Sequence, residues 1–155
     1  ATMKILVSAC LLGENCKYSG GNNYNQAVCD FARGHQVVPV CPEVLGGLPT
    51  PRCPAEIVQG VVTNKEGINV DREFRAGAAK ALAIAKENGV ELAILQSRSP
   101  SCGVKEIYDG TFSGTKIPGQ GVFAKMLVDE GVRVLDAGEL HQIILKNEDG
   151  KCQSD

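Results

Sequence analysis

Four short runs of strand length recur along the chain: 4–8 (KILVS), 36–40 (QVVPV), 91–96 (ELAILQ) and 132–135 (VRVL), with helical patterns between them. Strands that alternate with helices pair in parallel, and right-handed crossovers then place the helices on both faces of the sheet. The expected fold is α/β, a small Rossmann-like or flavodoxin-like three-layer sandwich with a mainly parallel sheet of about four strands. Pro39 has no N–H to give to a ladder, so the second strand belongs near an edge or Pro39 at its end.

The intervening helices are read from period and caps. Residues 24–33 carry Val28, Phe31 and Ala32 at helical spacing and stop at Gly34. Asp71 is the expected N-cap of a helix to Asn88 with Phe74, Ala78, Ala81, Leu82 and Ala85 on one face, ended by a left-handed Gly89. Further helices are expected at 121–130 and 138–146. Residues 56–63 and 67–70 read as a hairpin or extended excursion around Asn64–Gly67, and a polar, glycine-rich connection fills the space from Gly103 to Gly121.

The 155 residues suit one domain, 1–155, large enough for a hydrophobic core without disulfides. Ala1-Thr2 ahead of Met3 are set aside as an appendage. A net charge of -2 and no basic cluster with interleaved aromatics exclude binding to long nucleic acid. With no apolar run near the ~20 residues that span a bilayer and no secretory h-region, a cytoplasmic protein without a membrane partner is expected. The sequence leaves the oligomeric state open.

Seven cysteines, at 10, 16, 29, 41, 53, 102 and 152, are an odd number in a chain read as cytoplasmic, which favours thiolate chemistry or metal ligation over a disulfide framework. Cys41 opens a stretch, CPEVLGGLPTPRCP, that holds four of the seven prolines and two adjacent glycines. So restrained a loop positions something.

In an open parallel sheet, ligands bind beyond the carboxyl ends of the strands. Cys10, Cys41 and Cys102 follow the first, second and third strands, and neighbouring strands lie about 4.8 Å apart, so three sulfurs can face one site. Such a set suits zinc with a further ligand or a cubane iron–sulfur cluster with one open iron. His35 belongs at the other end of the sheet, His141 within the last helix, and no C-x₂-C pair occurs, so the cluster fits better. Cys29 and Cys152 read as packing residues. Cys16 is a spare ligand or a pocket thiol, and Cys53 is as easily packed as functional.

The motifs Ser8-Ala9-Cys10-Leu11-Leu12-Gly13 with Cys16, Cys41-Pro42-Glu43 with Gly46-Gly47-Leu48 and Thr50-Pro51-Arg52, and Ser99-Pro100-Ser101-Cys102-Gly103 together resemble the small bacterial thiouracil desulfurase family, in order and over nearly the whole chain. The resemblance implies a [4Fe-4S] cluster on Cys10, Cys41 and Cys102, whose open iron takes the sulfur of a thiolated nucleobase of 2-thiouracil type. The oxo product leaves without net redox change. It implies Glu43 as acid/base, assisted by Ser99 or Ser101, with Ser99 favoured.

These roles are chemically reasonable. Iron is a soft Lewis acid toward a thiocarbonyl, and a carboxylate two residues from a ligand can hold the attacking water. Arg52 and Arg98 are cations expected beside the site, to bind a substrate anion, pair with Glu43 or bridge loops. The amides of Ser101–Gly103 are candidates for a nest that donates to cluster sulfurs. The competing reading is a zinc- or nucleotide-binding module without desulfurase activity, against which stand the unpaired cysteines and the missing G-x-G-x-x-G after the first strand. A cysteine hydrolase lacks a placed histidine.

Overall fold

The structure, a computed structural model, describes residues 2–140. In chain order its elements are β1 (Lys4–Ser8), α1 (Gln26–Ala32), β2 (Gln36–Val40), α2 (Pro42–Leu45), β3 (Ala55–Val58), β4 (Val61–Asn64), α3 (Asp71–Glu87), β5 (Leu92–Leu95), β6 (Glu106–Tyr108), β7 (Lys116–Pro118), α4 (Val122–Asp129) and β8 (Arg133–Asp136). A 3₁₀ turn, Ala9–Leu12, follows β1 without a break. The chain turns helical again at 137–140; the rest of the expected closing helix, with His141 and Cys152, lies outside the described residues.

The frame is a four-stranded parallel sheet in the order β2-β1-β5-β8. The strands alternate sides as a pleat requires. Leu6, Val40, Ala93 and Leu95 face one core with Phe74, Ala78, Ala81 and Ala85 of α3 and Phe123, Ala124 and Leu127 of α4. Ile5, Val7 and Ile94 face a second core with Val28 and Ala32 of α1 and Leu140. This is the expected α/β sandwich, helices on both faces. Pro39 sits on β2, a strand paired only with β1, where one lost donor is tolerated.

One local expectation is extended and one is corrected. The hairpin is β3 with β4, turning at Gln59-Gly60, both at positive φ (50° and 81°), which is the backbone a two-residue hairpin turn demands. The expected turn at Asn64–Gly67 is also present, and the chain pairs across it at the Thr63–Asn69 bridge, with the Asn64 amide donating to the Ile68 carbonyl and the Val70 amide to the Val62 carbonyl, each at 2.9 Å. Asp71 is also not the N-cap of α3, because Val70 occupies that place. Its carboxylate instead accepts from the Val62 amide at 3.0 Å and from Arg75 at 2.6 Å, tying the hairpin to the helix. At the other end, Gly89 takes φ +63° just past Asn88, as expected.

Three elements were not legible as regular structure: the 3₁₀ turn, the one-turn α2, and the β6–β7 hairpin within the glycine-rich connection. Of these α2 matters most. It is started by Pro42, whose missing N–H costs nothing at a helix N-terminus, and it packs on α3 through two glycines. A Cβ on Gly46 would collide with the Glu73 carbonyl, and one on Gly77 with the Pro42 carbonyl. The two backbones therefore touch directly.

Candidate active site

Progress across the sheet reverses beside β1: the chain moves from β1 out to β2, then returns past β1 to β5 and on to β8. Such a reversal leaves a crevice at the carboxyl ends of the strands. A cavity of about 440 Å³ opens there, lined by Cys10, Cys41, Cys102, Glu43, Ser99 and Ser101 among others. Every residue expected at the site from sequence therefore borders one space.

Each sulfur is delivered by a different device. Cys10 lies in the 3₁₀ turn, nearly buried at 9 % exposure, and the Asn23 side-chain amide donates to its Sγ at 3.4 Å. Cys41 is the extended N-cap residue of α2, with Sγ 3.8 Å from the Cys16 carbonyl. Cys102 is buried behind the Ser99-Pro100-Ser101 turn, 3.7 Å from the Ser101 hydroxyl. Ser8 at the end of β1 ties the two central strand ends together by accepting from the Gln96 amide at 3.0 Å.

Cys16 is more central than its sequence position suggests. It lines the cavity beside Cys10 and Cys41, and the pull of these two thiols on its proton raises its own pKa well above the ordinary thiol value. The same interaction, outweighing burial and helped at Cys10 by Asn23, brings Cys10 and Cys41 down to about 7. Cys102 goes the other way, pushed up to about 12 by burial. Cys29, whose sulfur lies 3.8 Å from the Leu11 carbonyl, and Cys53 do not line the cavity.

Opposite the sulfurs stands a polar chain. Arg52 reaches Glu43 Oε1 with both Nε and Nη2 at 3.1 Å, and Nη2 also donates to the Cys16 carbonyl at 2.9 Å. Both side chains are largely buried, 7 % and 16 % exposed, so the bridge keeps more of its Coulomb attraction than a surface pair would. Glu43 Oε2 accepts from Ser101 Oγ at 2.9 Å, and Ser101 Oγ lies 2.8 Å from Ser99 Oγ. Ser99 Oγ itself accepts from the amides of Ser101 and Cys102, each at 3.1 Å.

That last pair of bonds corrects the expected nest. The amides of Ser101 and Cys102 are spent on Ser99 Oγ, and that of Gly103 on the Ser99 carbonyl at 2.9 Å, so they do not point at the cavity. Arg98 lines the cavity with φ +62° and, among the described residues, no carboxylate partner. Asn23, the donor to Cys10, was not singled out from sequence. Its only signal is an asparagine in the Gly20-Gly21-Asn22-Asn23 turn, where such residues normally serve the backbone.

Among the described residues, no three His, Cys, Asp or Glu side chains converge tightly enough to hold a single metal ion. Yet Cys10 feels the charge of Cys41, and Cys102 that of Cys10. Three sulfurs spread round the wall of one cavity fit a multi-iron inorganic core better than one ion.

A family model described as 2-thiouracil desulfurase matches residues 5–139. The chain is 42 % identical over 150 residues to an uncharacterized protein, YbbK, of Bacillus subtilis (strain 168), an alignment spanning 90 % of this chain and 99 % of the relative. Among solved structures it matches that of a [4Fe-4S]-dependent thiouracil desulfidase, TudS, with a TM-score of 0.83 and 38 % identity, covering 95 % of this chain and 99 % of that one.

Proposed function

The chain belongs to the 2-thiouracil desulfurase family, and from that premise we propose how its residues divide the work of a [4Fe-4S]-dependent thiouracil desulfurase. Cys10, Cys41 and Cys102 would hold the cluster. When bound, it would supply soft Lewis-acid chemistry toward the sulfur of a thiolated pyrimidine. The observation that carries this reading is that the three thiols and the Glu43–Ser101–Ser99 chain border one cavity.

Glu43 holds the water that replaces the sulfur. Arg52 Nε donates to Oε1 and the Ser101 hydroxyl to Oε2, so of the two lone-pair sites on Oε2 one stays open for a water. The serines form a directed relay. Ser99 Oγ already accepts two amide protons, so its own proton goes to Ser101 Oγ, and the Ser101 proton goes to the carboxylate. Ser101 is buried at 1 % exposure, whereas Ser99 keeps some access. Ser99 is thus the hydroxyl placed to meet a substrate nitrogen or oxygen, and Ser101 passes the proton on.

The crevice beside β1, where the strand order reverses, supports a Rossmann-like scaffold working as one domain. Among the described residues no helix is long and apolar enough to cross a membrane. We place the enzyme in the reducing cytoplasm, where thiolates and an exposed iron persist. The test is anaerobic reconstitution followed by loss of the thiocarbonyl absorbance of 2-thiouracil and appearance of uracil. Protein that binds about four irons and converts neither 2-thiouracil nor any other thiolated base or nucleoside would overturn the reading.

A further inference from the structure

The cavity has an aromatic wall that the chemistry above does not use. Phe112, half-buried, lines it from the turn that joins β6 to β7. Its backbone is left-handed, φ +57°, a region that bulky L-residues avoid. A non-glycine residue held there costs of order 1–3 kcal/mol and persists only where its surroundings over-determine it.

Here they do so three times. Gly110, at φ +93°, lies so close to β3 that an added Cβ would come within 2.7 Å of the Ile57 carbonyl. Glu56 Oε1 accepts from the amides of both Gly110 (2.9 Å) and Phe112 (3.1 Å). Asp109, Thr111, Ser113 and Thr115 close the turn through side-chain hydrogen bonds of 2.6 to 2.9 Å. A turn this constrained could end in any small polar residue. It carries instead a phenyl ring at the edge of a space that contains the sulfurs and the Glu43 relay.

We propose that Phe112 is a substrate-binding residue that stacks the pyrimidine ring, and that Glu56 is a positioning residue that aims it by clamping the turn. The proposal rests on the thiopyrimidine reading of the cavity. A planar ring offers little for hydrogen bonds on its faces, so a fixed aromatic side chain is the economical way to orient it with its thiocarbonyl edge toward the sulfurs. Stacking recognises the ring and not its substituents, so Phe112 sets affinity for the base and leaves the choice of sulfur position to the relay.

The experiment uses the anaerobically reconstituted full chain, with iron counted in every preparation and 2-thiouracil as probe. Phe112→Ala and Phe112→Gly both remove the ring, but only glycine relieves the backbone. Both should raise KM about five- to 150-fold, the ~1–3 kcal/mol of a base stacked on an aromatic side chain, at unchanged iron content. The glycine variant should melt higher than the alanine variant. Phe112→Tyr should keep the wild-type KM, and Phe112→Leu, equally apolar without a π face, should side with alanine. Glu56→Ala should raise KM in the same direction, and Glu56→Gln, which keeps an acceptor oxygen, should restore it.

A KM within twofold of wild type for the alanine variant overturns the proposal, as does a leucine variant indistinguishable from phenylalanine. So does a glycine variant that recovers KM along with stability. An inactive, iron-loaded wild type defeats the desulfurase reading itself, a separate outcome visible before any variant is made.

Discussion

The two walls of the cavity are built on opposite plans. On the Glu43 side each group has a strong partner: an ion-paired arginine that donates from Nε, a short serine–serine contact and two amides on one hydroxyl. On the sulfur side the contacts are long and weak, 3.4 Å from Asn23 to Cys10 and 3.8 Å from Cys41 to a carbonyl, and Cys16 is shared between two neighbours. The polar wall is finished by the polypeptide alone. The sulfur wall is held by interactions that a harder-binding core can replace at little cost, which suits ligands that must be captured after folding.

The severest way to break that contrast is to change the sulfurs. Cys10→Ser, Cys41→Ser and Cys102→Ser should each lower bound iron from about four to below one per chain, measured after anaerobic reconstitution, and activity should fall to background. Their urea midpoints should barely move. Glu43→Gln comes next: bound iron stays at the wild-type level while kcat falls by about 10²–10⁴, the usual worth of a positioned acid or base. Iron lost along with Glu43 would mean the two walls are one unit.

Arg52→Met probes the polar wall as structure. Removing one partner of a largely buried pair should destabilise the fold by about 3–5 kcal/mol in urea unfolding, and adding Glu43→Gln should recover most of that. The smallest effect sharpens the sulfur side. In cluster-free protein, alkylation of Cys10 and Cys41 should rise through pH about 7, because the thiolate is the nucleophile and its pKa is depressed. Cys16→Ala removes the largest cause of that depression and leaves burial to act, so the midpoint should move to higher pH. Cys102, at about 12, should stay unreacted through neutral pH.

The sheet and the sulfur positions were readable because they rest on long-wavelength signals. Ile5–Val7 and Leu92–Leu95 are apolar runs whose order dictates a parallel sheet, and strand-end geometry then brings Cys10, Cys41 and Cys102 together. What escaped is short or bonded across the chain. Strand β7 is three exposed residues with no apolar pattern to detect. Asp71 looks like a cap until the Val62 amide, nine residues back, claims it. Phe112 stands in Gly110-Thr111-Phe112-Ser113-Gly114, where a lone aromatic among turn residues was the available hint. Cys16, read as a spare ligand or pocket thiol, does line the cavity.

The glycine joint between α2 and α3 has a mechanical meaning. Gly46 and Gly77 leave no side chain between the two backbones, so nothing there can switch rotamer as the temperature climbs. Glu43 is mounted on a hinge-free bracket, and its aim should hold through the warming that first softens the weakly tethered thiols across from it. The carboxylate's direction is, in effect, part of the scaffold's skeleton.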